Sequence, residues 1–327
     1  MKERPFGNKT RTVSEIGLGT WQLGGDWGSV TDREAEVILQ TAVDHGVTFF
    51  DTADVYGGGV SEQRIARFLQ QHEGRVFVAT KLGRSGDPGW PENFTMATMR
   101  QHTEDSLRRL QVEALDLTQL HCIPTEELRR GDVFDHLRTF QQEGKIKRFG
   151  ASVESMEEAL ICLEQDGLAS LQIIFNIFRQ KPIHTLFDKA QAKGVAIIVR
   201  LPLASGLLAG KFTANTTFPE DDHRNYNRDG DAFNVGETFA GLPFAQGVSL
   251  ANQLKPLVPD GLTMAQMAQR WVLDFPAVTT VITGATRAEQ VVGNTAVSQL
   301  PPLSPELHQT LATFYQENVT DHIRGPY

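Results

Sequence analysis

Apolar runs of strand length alternate with helical stretches along most of the chain. The strand candidates are "EIGLGT" (15–20), "VTFFDT" (47–52), "VFVATK" (76–81), "LDLTQLH" (115–121), "IKRFGAS" (146–152), "SLQIIFN" (170–176), "VAIIVRL" (195–201) and "VTTVITG" (278–284). Several are apolar almost throughout, as strands covered on both faces should be. Between them lie helical stretches. "TDREAEVILQTAVDHG" (31–46) opens with a Thr31/Glu34 capping box and closes on glycine. "SEQRIARFLQQH" (61–72) sets Ile65, Phe68 and Leu69 on one face. Further helices are predicted over 95–110, 127–144 despite its internal Gly131, 155–167 with a Ser155/Glu158 box, 183–194, 263–275 and 286–297.

Eight strands each followed by a helix predict a closed parallel (β/α)8 TIM barrel, because parallel strands need crossover helices and closure removes the sheet edges. An open doubly wound sheet is the alternative. Its dinucleotide signature is missing: in "GLGTWQLGG" (17–25), Gln22 stands where the last required glycine should be. Residues 3–14 read as a short hairpin around Gly7-Asn8, placed to plug one barrel mouth. Residues 202–262 form a long loop after strand seven, and loops of that length are uncommon unless functional. One barrel domain over 1–327 is expected.

The chain has 327 residues, 40% of them apolar, enough for a sizeable core. With 31 basic and 40 acidic residues its net charge is -9, which disfavours nucleic acids and anionic membranes as partners. No apolar run reaches the roughly 20 residues of a membrane helix. No secretory signal is visible in "MKERPFGNKT". Two cysteines, Cys122 and Cys162, fit a reducing compartment. A soluble, cytoplasmic protein is expected.

In such a barrel, functional groups gather at the C-terminal strand ends. Those ends supply Asp51, Lys81 and His121, with Tyr56 just beyond Asp51. Each alone has an ordinary structural reading: a turn cap, a solvated lysine, a packed histidine. Together they make chemical sense. A phenol has a pKa of about 10, and a nearby ammonium lowers it. A carboxylate positions the ammonium, and a neutral imidazole orients a carbonyl oxygen. Tyrosine as general acid then suits protonation of that oxygen. Hydride must come from elsewhere, which implies a nicotinamide cofactor.

"FFDTADVYG" (49–57), "ATKLG" (79–83) and "QLHCIP" (119–124), in this order, resemble the aldo-keto reductase superfamily. The likeness runs nearly the full chain through "VSEIGLGTWQLGG" (13–25), "EGKIKRFGAS" (143–152), "RLPLASGLLAGKF" (200–212) and "VITGATRAEQVVGN" (281–294). The resemblance implies a barrel that reduces small carbonyl compounds to alcohols, usually with NADPH, and a tetrad of Asp51, Tyr56, Lys81 and His121. It also implies cofactor contacts at Gly19, Thr20 and Trp21. Ser152 and Gln172 match positions near the nicotinamide amide, with Asn176 as a third strand-end polar group. The pyrophosphate loop is matched by Leu203, Ser205, Gly206, Leu208 and Lys211. At the adenosine end, Gly284 precedes a predicted Thr286/Glu289 capping box whose helix N-terminus offers N–H groups to a phosphate. Arg287 supplies a charge for a 2′-phosphate, and Gln290 and Asn294 would face the adenine.

Two positions depart from the pattern that the resemblance implies. Val153 stands where many relatives have Asn, and Arg200 where many have an aromatic that stacks on nicotinamide. A guanidinium can stack on a planar ring, and its charge is expected to favour the reduced cofactor. Trp21, Trp27 and Trp90 are candidates for the substrate mouth, and "DDHRNYNRDG" (221–230) for a lid or a solvated loop. Two other readings stay open: a barrel lyase with Lys81 as Schiff-base nucleophile, and a non-catalytic, cofactor-binding regulatory subunit such as the potassium-channel beta subunits of this superfamily. HExxH, GxSxG and Walker-type motifs are absent, so no metal site is expected.

Overall fold

The computed structural model describes residues 1–8, 11–25, 30–72, 74–213, 215–218, 222–227, 229, 235–236 and 238–327, without the side chains of 223 and 226. Two short strands come first, β1 (Glu3–Pro5) and β2 (Thr12–Ser14), paired antiparallel with Glu3 opposite Ser14. Eight strands then close a parallel barrel: β3 (Ile16–Gly19), β4 (Phe49–Asp51), β5 (Phe77–Leu82), β6 (Leu117–His121), β7 (Phe149–Ser152), β8 (Leu168–Ile174), β9 (Ala196–Arg200) and β10 (Val278–Gly284), with β10 returning to pair with β3. All eight fall on or within about two residues of the runs read from the sequence.

The hairpin does plug a mouth. Its Phe6 lies 4.9 Å from the ring of Phe77, which in turn stacks on Phe49 at 5.5 Å. These rings join Leu117, Ala196 and Ile198 in an apolar floor inside the barrel. The same strands change character along their length. Side chains alternate faces with period two, so the inward series runs Phe49–Asp51 on β4, Phe77–Ala79–Lys81 on β5 and Leu117–Gln119–His121 on β6. The apolar floor therefore gives way to a polar ceiling at the C-terminal ends.

The surrounding helices are α1 (Asp32–Asp44), α2 (Val60–Leu69), α3 (Met96–Leu110), α4 (Thr125–Arg130), α5 (Asp132–Gln142), α6 (Met156–Leu163), α7 (Pro182–Thr185), α8 (Phe187–Lys193), α9 (His223–Tyr226), α10 (Phe244–Leu254), α11 (Met264–Leu273), α12 (Ala288–Ala296) and α13 (Pro305–Asn318). The Thr31/Glu34 and Ser155/Glu158 boxes form as predicted. The helix expected over 127–144 is instead two, because Gly131 adopts φ 84° and ends α4 before α5 begins. The stretch 183–194 is likewise broken at Leu186.

The Thr286/Glu289 capping box does not form. Gln290 takes the part of Glu289: its Oε1 accepts from the backbone N–H of Thr286 (2.7 Å) and Arg287 (3.2 Å), so α12 starts one residue later. α10, inside the long loop, and α13, beyond the repeat, were not anticipated.

Candidate active site

Strand register brings the polar ends together. Asp51 pairs with Ala79, Lys81 with Gln119, His121 with Ser152, and Ser152 with Gln172. Lys81 is 1% and Asp51 2% exposed. Lys81 Nζ donates to Asp51 Oδ2 (2.6 Å), the Thr52 carbonyl (2.8 Å) and Tyr56 OH (3.2 Å). The three hydrogens of the ammonium thus have three acceptors. Asp51 Oδ1 accepts from Gln172 Nε2 (2.6 Å) and Gln119 Nε2 (3.4 Å). Gln119 was missed in the sequence, and Gln172, expected at the nicotinamide amide, gives its amide nitrogen to Asp51 here.

Tyr56 is reached by a sharp turn. Gly57 has φ 59°, and a Cβ there would sit 1.9 Å from the carbonyl oxygen of Gly24. That close backbone approach lays Trp21 over Tyr56, with ring centroids 5.9 Å apart and planes at 18°. His121 meets the Tyr56 ring edge-on at 5.9 Å.

The electrostatics follow from burial. His121 is held well below the ordinary imidazole value, first by burial and then by the charges of Lys81, Arg84 and Arg200. Its ring is neutral at pH 7. Burial pushes the Tyr56 phenol up and outweighs the pull of Lys81, while Asp51 adds a further push. The expectation that Lys81 gives Tyr56 a lowered pKa is therefore corrected: the ammonium moderates a rise. Burial opposes the charge of Lys81, but Asp51 and Tyr56 more than offset it and its pKa is raised.

A cavity of about 760 Å³ runs from Tyr56 and His121 past Arg200 to Thr286 and Asn294. Of the residues expected to hold a cofactor, Gly19, Thr20, Trp21, Ser152, Gln172, Arg200, Leu203, Ser205, Gly206, Lys211, Gly284, Thr286, Gln290 and Asn294 line it. Leu208 is packed in the core, and Arg287 stands exposed beside the cavity, outside its lining. Asn176 is buried and bonds the Leu201 carbonyl (2.9 Å) and the Phe178 N–H (2.9 Å), a structural role.

Arg200 does not stand alone. Its Nη2 donates to Glu154 and to the Val153 carbonyl (3.2 Å), an ion pair that the sequence did not suggest. Phe239, Arg224 and Gln269 also line the cavity and were not foreseen individually. Arg224 lies 4.0 Å over the Phe218 ring and reaches the Ser205 carbonyl (3.4 Å), and of the described residues between 221 and 230 it and Asp222 line the cavity. Trp90 is 47% exposed, with Arg84 over its ring at 5.3 Å. Trp27 lies outside the described residues.

The middle of the cavity suits a dinucleotide. Ala204, Ser205 and Gly206 all have positive φ (46°, 50° and 102°), a tight turn in which the Ala204 and Gly206 N–H groups donate to the carbonyls of Leu201 and Leu203 (3.0 Å each). Ser205 Oγ is buried there with no hydrogen-bond partner. Among the described residues, no group of three or more His, Cys, Asp or Glu is placed to hold a metal ion, and no helix is long and apolar enough to cross a membrane.

The profile described as "Aldo/keto reductase family" matches residues 15–316. The chain is similar to aldo-keto reductase YhdN of Bacillus subtilis, 29% identical, covering 96% of this chain and 93% of that one. It is also similar to the NADH-specific methylglyoxal reductase of Escherichia coli, 26% identical over 90% and 93% of the two chains. Among solved structures, aldo-keto reductase AKR11C1 from Bacillus halodurans in its holo form superposes with a TM-score of 0.78 at 26% identity, covering 99% of this chain and 100% of that one.

Proposed function

The chain belongs to the aldo/keto reductase family, and from that premise we propose that it reduces a small aldehyde or ketone to the alcohol, with NADPH as hydride source and Tyr56 as proton donor. By family it is an NAD(P)-dependent oxidoreductase. One observation carries the assignment of roles: Tyr56 OH lies 3.2 Å from an ammonium that Asp51 holds at 2.6 Å.

Tyr56 keeps its proton at neutral pH because burial disfavours phenolate. When the proton moves to a substrate oxygen, the phenolate forms beside Lys81. At an effective dielectric of about 20 that contact is worth roughly 5 kcal/mol of gross attraction, before Asp51 opposes it. Lys81 therefore acts as the charge that makes the transfer reversible. Asp51 fixes its position, and Gln119 and Gln172 in turn fix Asp51. The neutral ring of His121 offers a hydrogen bond to the substrate oxygen and supplies no competing acid. With its three hydrogens engaged and its pKa raised, Lys81 is a poor nucleophile, which supports the tuning role over Schiff-base chemistry.

A nicotinamide supplies hydride to carbon when bound. Ser205, Gly206 and Lys211 would hold its pyrophosphate. Arg287 at the N-terminus of α12 supports recognition of a 2′-phosphate, hence NADPH over NADH. Because one relative is named NADH-specific, the preference needs direct measurement. The test follows reduced-nicotinamide absorbance with each cofactor over a panel of simple aldehydes and ketones. Carbonyl-dependent oxidation faster with NADPH is expected. No oxidation with either cofactor across the panel would overturn the reading.

A further inference from the structure

The far end of the cavity carries a pair of amides that the chemistry at Tyr56 does not use. Gln269 sits on α11 and is 2% exposed, among Met267, Ala268, Trp271 and Val272, all buried. Its Nε2 donates to Asn294 Oδ1 on α12 at 3.0 Å. Its Oε1 is buried with no hydrogen-bond partner. Both residues line the cavity, at the end bounded by Thr286 and Gln290.

A carbonyl left without a donor in an apolar surrounding is destabilising, and an aliphatic side chain of similar volume would pack there without that cost. The acceptor points to a donor that the protein itself does not supply. Asn294 has its oxygen engaged by Gln269, so the group it has left for a ligand is its amide nitrogen. The pair thus sets one acceptor beside one donor. Adenine is complementary, with an exocyclic amine flanked by ring-nitrogen acceptors. A keto purine would set its oxygen against that of Gln269. Gln290 cannot substitute as acceptor while its oxygen is tied to the start of α12.

We propose that Gln269 is a specificity-determining residue for the adenine of the dinucleotide. Its carbonyl accepts from the exocyclic amine, and its amino group holds Asn294 so that Asn294 donates to a ring nitrogen. This rests on the oxidoreductase reading above and adds to it a residue that selects the base.

The test is equilibrium binding, read by quenching of intrinsic tryptophan fluorescence, of NADPH and of its hypoxanthine counterpart. The parent protein is compared with Gln269→Met, with thermal melts to show that both are folded; Gln269→Leu is the second variant if the first does not fold. The parent is expected to favour the adenine form by about tenfold, one factor of ten in Kd, and the variant by threefold at most. An unchanged preference in a folded variant overturns the proposal and leaves the oxidoreductase reading standing. If the parent binds neither dinucleotide, both are overturned.

Discussion

Lys81 Nζ and Asp51 Oδ2 lie 2.6 Å apart with side chains 1% and 3% exposed. A buried pair of this kind adds little net stability against an apolar pair of the same shape, yet removing one partner strands the other charge. Asp51→Asn is expected to destabilise the fold by about 3–5 kcal/mol, and Lys81→Met by a similar amount. The double variant should lose clearly less than the sum. Urea unfolding of the four proteins measures the coupling, and additive losses would mean the pair does not interact as drawn.

His121 carries a second expectation. Its folded pKa lies well below the ordinary 6.5, so the unfolded chain takes up its proton first as the pH falls. The stability it contributes is present above about 6.5 and is lost as pH drops toward the depressed value. Proton NMR of the imidazole should show no titration between pH 8 and 6, and His121→Gln should flatten the acid limb of the stability profile. A midpoint near 6.5 would contradict this.

Asp54 has the opposite sign. Burial, with Glu62 adding to it, pushes its carboxyl up from 3.8 to about 7. A raised carboxyl contributes stability below the unfolded value that is lost as pH rises through about 7. The interval from 3.8 to about 7 sets a ceiling of about 4 kcal/mol. Asp54→Asn should therefore raise Tm substantially at pH 8 and much less at pH 4.5. Equal effects at the two pH values would show that the carboxyl is not so perturbed.

Arg200 and Glu154 bear on the redox state of the bound ring. Burial disfavours the guanidinium charge, but Glu154 more than offsets this and keeps it charged. Neutralising Glu154 leaves that charge uncompensated beside a site where an oxidised pyridine would be cationic. Glu154→Gln is expected to raise the Kd for NADP+ severalfold more than that for NADPH. Parallel titrations measure it, and an unchanged ratio counts against a place for Arg200 next to the ring.

Three of the four groups at the site, Asp51, Lys81 and His121, were legible because strand alternation is strict: an apolar strand that ends in Asp, Lys or His at an inward position displays that residue at the rim, and Tyr56 was read from its place in the turn just beyond Asp51. The partners that fix them were not. Gln119 read as an ordinary strand residue and Gln172 as a nicotinamide-amide contact, since closing the barrel is what brings both onto Asp51. The Arg200–Glu154 pair links residues 46 apart across two strand ends, and nothing local marks it. Gln269 looked like one more polar residue on an amphipathic helix; its burial depends on the packing of α11 beside α12. α13 did carry a start signal, Ser304 followed by Pro305, but it lay beyond the eight-unit pattern. α10 sat inside a stretch rich in Gly and Asn.

Turnover of Tyr56→Phe tests the central assignment most directly, because the substitution removes one hydroxyl and leaves the ring under Trp21. The expected result is a fall in kcat of at least about 10²-fold, with NADPH affinity within threefold of the parent. Carbonyl reduction at the parent rate would contradict the assignment of Tyr56 as the proton donor.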